Sequence, residues 1–237
     1  MRRNKWFKFK QFRIEQQKAA MKVGTDGVLI GAWVSIDNVS SILDVGTGTG
    51  LIALMLAQRS SAQIDAVEID SAACTEAEFN FEQSPWRLRL KVIHSDFNTF
   101  STENQQRYDL IVSNPPYFAD SLKTPEPHLA KARHDVTITF ADLIKGSARL
   151  LNEHGRLALI IPFHSFEEFR ESARLQGFYL RRQTTVITKE GKSPERVLLE
   201  FSLLPCFTQT DKILVHTYDG QISQEFIDLT SPYYLNY

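Results

Sequence analysis

Cysteine is scarce in this chain of 237 residues: Cys74 and Cys206 are the only two. Neither has a Cys or His neighbour in sequence, so a disulfide scaffold and a metal site both read poorly, and a reducing cytoplasm suits the pair. Long apolar runs are missing too. The longest, residues 51–57 and 157–161, fall far short of the ~18–20 residues needed to span a bilayer. The basic start runs into Trp6, Phe7, Lys8, Phe9 and Lys10 rather than into the apolar stretch of a secretion signal. Internal repeats and low-complexity tracts are absent as well. What remains is a folded, soluble chain, 43% hydrophobic, long enough to bury ~70–75% of its unfolded surface without staples. One core domain with appendages is expected. A monomer is the default, since nothing in the sequence sets an oligomeric state.

An excess of one charge sign is lacking overall but not locally. Residues 1–22 carry Arg2, Arg3, Lys5, Lys8, Lys10, Arg13, Lys18 and Lys22 against Glu15 alone, a net +7, and the remainder carries −8 to give −1 for the chain. The cations interleave with Trp6, Phe7, Phe9 and Phe12. Cations can neutralise phosphates while aromatic faces stack on bases, which makes Arg2, Arg3, Lys5, Lys8, Lys10 and Arg13 candidate RNA contacts. The alternative is that the phenylalanines pin this arm to an acidic body while the lysines are merely solvated.

From residue 40 onward short β-type runs alternate with helical stretches, the pattern of βαβ units around a parallel sheet with helices on both faces. Strands are expected at residues 42–45, 64–69, 90–94, 108–113, 156–161, 179–188 and 197–207, and helices at 51–58, 72–83, 140–151 and 165–176. Ser71 and Ser165 read as N-caps, Gly155 and Gly177 as residues just past helix ends. Only Gly191, Lys192, Ser193 and Pro194 separate the last two strands. That is too short for a parallel crossover, so the pair is antiparallel. The expected fold is therefore α/β, a mostly parallel seven-stranded sheet with an antiparallel last strand. Residues 117–138 contain Pro125 and Pro127 and read as a long loop, usually functional or disordered at that length. Lys131, Arg133 and His134 within it are further candidate phosphate contacts.

Chemistry gathers at successive strand ends. After the first strand comes Asp44-Val45-Gly46-Thr47-Gly48-Thr49-Gly50, a loop that brings bare backbone to a ligand at a helix N-terminus. Leu51 stands where a dinucleotide fingerprint needs its last glycine, and no Lys follows, which argues against NAD and against a nucleotide-triphosphate loop. After the second strand, Glu68 is placed to accept both hydroxyls of a ribose. After the third, Asp96 offers an acceptor for an adenine amino group, with Phe97 as its stacking neighbour. After the fourth, the chain reads Asn114-Pro115-Pro116-Tyr117-Phe118. Two prolines fix φ and remove two donors, leaving the Asn114 side chain and the Pro115 carbonyl as rigid acceptors. Together they can hold the two N–H groups of a delocalised amine and aim its lone pair at an electrophilic methyl, while Tyr117 stacks on a flipped-out base.

With these motifs the sequence resembles the class I S-adenosylmethionine-dependent methyltransferases, which are Rossmann-like, and within them the tRNA1(Val) (adenine(37)-N6)-methyltransferase family. The resemblance implies three parts: a basic aromatic arm at 1–22, the methyltransferase domain at 23–207, and an extension at 208–237 packed on the core. It implies S-adenosylmethionine held by Asp44, Gly46, Thr47, Gly48, Gly50, Glu68, Asp96, Phe97 and Asn114, and a catalytic motif of Asn114, Pro115, Pro116 and Tyr117. The segment Lys22 to Leu29 is similar to the family's entry helix, which closes over the methionine end of the cofactor. Lys22 and Thr25 join the cofactor set on that resemblance alone. The implied reaction is methylation of adenine N6 in tRNA, at position 37 of tRNA1(Val), in the cytoplasm, with no metal and no membrane. Three readings stay open beside it. Asn-Pro-Pro-Tyr also occurs in enzymes that methylate a glutamine of peptide release factors; the substrate could be rRNA or DNA; or the fold could survive as an inactive RNA-binding factor. A short basic stretch before Gly24, in place of a helical N-terminal domain, favours RNA.

Overall fold

Period-two alternation along the central strands sorts the core onto two faces. In the computed structural model, which describes residues 4–116 and 138–236, Ile42 of β3 (Ser41–Val45), Ile64 and Ala66 of β4 (Gln63–Glu68) and Leu110 and Val112 of β6 (Tyr108–Ser113) enter one buried cluster. Their alternates Leu43, Val45, Val67 and Ile111 enter the other. Strands that are apolar on both faces need a layer on each. The first face is covered by α1 (Thr25–Trp33), α2 (Leu51–Arg59) and α3 (Ser71–Glu82), the second by α4 (Phe97–Glu103), α5 (Phe140–Leu150) and α6 (Phe166–Leu175).

The main sheet runs β10-β8-β9-β7-β6-β3-β4-β5, with β5 at Leu90–His94, β7 at Leu151–Pro162, β8 at Tyr179–Lys189, β9 at Arg196–Ser202 and β10 at Gln209–His216. All neighbours pair parallel except β9, which is antiparallel to β7 and β8. The expected mostly parallel sheet with an antiparallel seventh strand is present. To it the segment after residue 207 adds an eighth strand, β10, at the edge beside β8. Strand order reverses between β3 and β6, and the crevice at such a switch point is where open α/β sheets bind ligands.

Several local expectations are corrected. Asp70, not Ser71, caps α3: its side chain accepts from the Ala72 amide at 3.1 Å, and Ser71 is the first helical residue. Ser165 does hold the N-cap position of α6, but its side chain makes no cap bond. Gly155 lies inside β7, where a Cβ would meet the Tyr108 carbonyl at 2.8 Å, beside a register slip between Tyr108 and Leu110. β9 ends at Ser202, well before residue 207. Gly177 does end α6, at φ 84°, with its amide donating to the Arg174 carbonyl and the Phe178 amide to that of Ala173, a Schellman arrangement.

The arm is a hairpin of β1 (Trp6–Lys8) and β2 (Arg13–Glu15). Phe9 and Ile14 are wholly buried, and Phe9 stacks on Phe12 at 4.7 Å and on Tyr234 at 5.8 Å. Lys5, Lys8, Lys10 and Arg13 stay exposed. After β10, the short α7 (Gln224–Thr230) leads to Tyr233, whose hydroxyl donates to the Met55 carbonyl at 3.2 Å. Arg2, Arg3, Tyr117, Phe118, Lys131, Arg133 and His134 lie outside the described residues.

Candidate active site

The glycine loop between β3 and α2 turns through the left-handed region three times, at Gly46 (φ 72°), Gly48 (φ 57°) and Gly50 (φ 82°). Side chains are disfavoured there on backbone grounds alone. At Gly46 and Gly48 an added Cβ would meet no atom within 4 Å, whereas at Gly50 it would strike the Phe81 ring at 2.5 Å. The first two glycines therefore present bare backbone to open space and the third lets α2 and α3 close together. Asp44 braces the loop from below. Its Oδ2 accepts from the Thr47 hydroxyl at 2.6 Å and the Ala53 amide at 3.2 Å, while Oδ1 is buried without a hydrogen bond. Burial pushes this carboxyl up to about 7, against the pull of the Thr47 and Ala53 bonds.

The loop opens into a cavity of about 660 Å³ at the switch point. Of the residues read from sequence, Lys22, Thr25, Gly46, Thr47, Gly48, Glu68, Asp96, Phe97, Asn114 and Pro116 line it. Asp44, Gly50 and Pro115 do not: the first two support the loop from behind, and Pro115 is buried. At the end of β4, Glu68 Oε2 accepts from the Gly48 amide at 2.9 Å, and Oε1 accepts from Ile69 at 2.9 Å and Asp70 at 3.0 Å. That uses three of the roughly four acceptor positions of a carboxylate and locks the glycine loop to the second strand end. Asp96 caps α4 by accepting from the Thr99 amide at 3.0 Å. Bonds from the Thr99 side chain and amide hold it below the usual carboxylate range, so it is ionised at neutral pH. The Phe97 ring is buried and lies against Gly146, so close that a Cβ there would collide with it. It forms a wall more than an open stacking face.

Across the crevice, the Ser113 hydroxyl donates to the Val45 carbonyl at 2.9 Å, tying the end of β6 to the end of β3. Asn114, half-buried, and Pro116 follow on the cavity side. Thr139 and Asp142, reciprocally bonded as the capping box of α5, close the far wall. Lys22 lines the opening, its ammonium donating to the Asn4 carbonyl at 3.2 Å, and Asp26 nearby pairs with Arg196 at 2.9 Å.

Residues that sequence reasoning did not assign also line the cavity: Ala19, Ala20 and Met21 of the arm's end, Ile69, Asn98, Thr139 and Asp142. Ile69 carried no readable signal: only the structure shows it as an apolar residue left partly exposed immediately after Glu68. Among the described residues the lining has five carboxylates, Asp26, Glu68, Asp70, Asp96 and Asp142, against one ammonium, that of Lys22. A concave site of that sign concentrates cations. Bare amides, a braced acidic residue at the end of β4 and an acidic wall fit S-adenosylmethionine, which carries a sulfonium, an ammonium and a ribose. Among the described residues no cluster of His, Cys, Asp and Glu could hold a metal ion, and no helix is long and apolar enough to cross a membrane.

Residues 27–172 match the methyltransferase small domain family. The chain is 45% identical over 231 residues to the tRNA1(Val) (adenine(37)-N6)-methyltransferase of Bacteroides fragilis, covering 97% of this chain and 98% of that protein. It is 44% identical over 235 residues to the protein of the same name from Bacteroides thetaiotaomicron, covering 98% of each. Among solved structures it is similar to a predicted O-methyltransferase, protein Atu636 from Agrobacterium tumefaciens, with a TM-score of 0.70 at 17% identity over 88% of this chain and 96% of that one. That last likeness shows the fold. With the full-length likenesses, the conclusion is plain: this chain belongs to the tRNA1(Val) (adenine(37)-N6)-methyltransferase family.

Proposed function

We propose that the protein methylates the exocyclic N6 of an adenine in tRNA, at position 37 of tRNA1(Val), with S-adenosylmethionine as donor. The observation that carries the reading is that Asn114 and Pro116 share one acidic cavity with the Gly46–Gly48 backbone and Glu68. When bound, the cofactor supplies an activated methyl on sulfur. Gly46, Thr47 and Gly48 hold its amino-acid part, Glu68 its ribose, and Asp96 with Ile69 its adenine. Asn114 accepts one N–H group of the target amine, orienting the nitrogen lone pair toward the methyl; the Pro115 carbonyl, assigned the second, lies behind the cavity lining and would have to turn toward it. Tyr117 stacks on the base. After transfer the nitrogen loses one proton to solvent, and no covalent enzyme intermediate is needed. Lys5, Lys8, Lys10 and Arg13, exposed on the hairpin, meet phosphates together with Arg2 and Arg3. The reaction belongs in the cytoplasm, in keeping with two free thiols, Cys74 buried and Cys206 exposed.

A glutamine amide offers the same pair of N–H donors, so the test must compare acceptors. Purified protein, labelled cofactor and either deproteinised tRNA or a peptide release factor are incubated under matched conditions and the products identified by mass spectrometry. N6-methyladenine in the tRNA anticodon loop is expected. Label in the release factor with blank tRNA would replace the RNA assignment by the glutamine one.

A further inference from the structure

One wall of the cavity, Ala19 to Lys22, is the end of the arm rather than part of the sheet and helix framework, and buried side chains fix both of its ends. Glu76 of α3 is 4% exposed, and its carboxylate takes three consecutive backbone amides: Oε1 accepts from Gln17 at 2.5 Å and Lys18 at 3.0 Å, Oε2 from Ala19 at 2.8 Å. Successive amides converging in this way form an anion-binding concavity, here filled from within the chain. One turn along α3, the buried Asn80 accepts from the Glu15 amide at 2.8 Å and donates to the Glu15 carbonyl at 3.0 Å and to the Thr49 carbonyl at 2.9 Å. Thr49 belongs to the glycine loop. At the far end, Gln16 accepts from the Val23 amide at 2.9 Å and donates to the Asn4 carbonyl at 3.2 Å.

We propose that Glu76 is a positioning residue for the cofactor: by gathering the amides of residues 17–19 it presets the cavity wall at 19–22, and with Asn80 it joins the seating of the arm to the geometry of the glycine loop. The inference rests on the reading that the cavity takes S-adenosylmethionine. Helix α3 is the shared part. Its Glu76 and Asn80 grip the arm, Asn80 grips the loop, and Ala73 of the same helix lines the cavity. A ligand that needs the wall in place must favour the seated arm, and by reciprocity a seated arm favours the ligand.

The test uses the full chain and S-adenosylmethionine itself. In Glu76→Gln one acceptor oxygen remains, but the new amide group faces a backbone N–H donor to donor. The dissociation constant should rise ~10-fold or more, the scale of one charge-assisted hydrogen bond, and KM for the cofactor should rise with it while kcat at saturating cofactor stays close to wild type. Glu82→Gln, exposed on the same helix, should change neither. Trypsin gives a second readout that needs no variant: saturating cofactor should slow cleavage of the wild type after Lys18 and Lys22 but not after Arg174, on the exposed end of α6. Should Glu76→Gln fold and bind with wild-type affinity, Glu76 is a structural staple only and the proposal falls. If the variant does not fold, the wild-type footprint decides, and unchanged cleavage at Lys18 and Lys22 overturns the proposal. A wild type that shows no binding at all would instead remove the cofactor reading, and this inference with it.

Discussion

The two sides of the crevice are built in opposite ways. Beyond β3 and β4 the surface is backbone: left-handed glycines, amides, and a Glu68 carboxylate already bonded to Gly48, Ile69 and Asp70. Beyond β6 it is side chain and proline, with Asn114 and Pro116 projecting from a strand end pinned by Ser113 to Val45. Backbone walls hold shape cheaply and suit a ligand that is always the same. A side chain on a proline-stiffened strand end suits a group that must be gripped only while it reacts. On the proposed reading the first wall sets affinity for the cofactor and the second sets the rate, so substitutions should separate the two.

The sharpest separation should come from Asn114→Ala. Losing a positioned acceptor on the reacting amine should lower single-turnover methyl transfer by ~100-fold or more, with calorimetric affinity for S-adenosylmethionine close to wild type. Equal losses in both quantities would erase the distinction between the walls. Glu68→Ala is the mirror experiment. It should weaken cofactor binding by ~1.5–3 kcal/mol, the scale of charged hydrogen bonds, and leave kcat at saturation largely intact; an unchanged dissociation constant would take Glu68 out of the site.

Smaller effects are expected away from the crevice. Deleting residues 1–13 would strip Phe9 and Phe12 from the core and uncover Trp86 and Tyr234, mixing stability with binding. Replacing Lys5 and Lys8 by Gln leaves the aromatic packing and the Lys10 bond to Ser231 in place, and should flatten the salt dependence of tRNA binding by roughly 0.7–0.9 in slope for each phosphate no longer neutralised. An identical slope would make the hairpin a packing element alone. The weakest functional effect should be that of Asp44→Asn, which belongs to the first wall but not to its surface. Asp44 rises from 3.8 to about 7 on folding, so between those values the folded chain holds a proton that the unfolded chain has released. Stability must then fall as pH rises through that window and level off above it. Urea unfolding at pH 5 and pH 8 should show that slope in the wild type and a flatter one in Asp44→Asn.

Local signals make much of this legible in the sequence. Glycines at Gly46 and Gly48, Glu68 after β4 and Asn-Pro-Pro after β6 each announce themselves within a few residues, because strand ends and turns are short-range features. Contacts between distant segments leave no such trace. Nothing near Glu76 or Asn80 tells that they meet residues 15–19, and Ile69 gains its place only from the crevice. Gly155 looks like a helix terminator until the Tyr108 carbonyl is seen beside it. The arm's composition speaks of charge, while its phenylalanines have a partner, Tyr234, at the opposite end of the sequence. The extension after residue 207 is visible as a separate piece, but that it continues the main sheet as β10 depends on an open edge at β8, which no local pattern describes.

That pairing of chain ends sets an order of events during synthesis. The Lys10 ammonium donates to the Ser231 carbonyl, 221 residues away, and the Lys10 amide to the carbonyl of Tyr233. At translation speeds of ~5–20 residues per second, the hairpin waits roughly 10–45 s for the surface it docks on. During that interval Phe9 and Phe12 have no complete burial site, and the most basic stretch of the chain hangs from a growing methyltransferase domain whose cavity lacks its final wall. The hairpin, made well before the surface it docks on, is thus among the last parts to be seated.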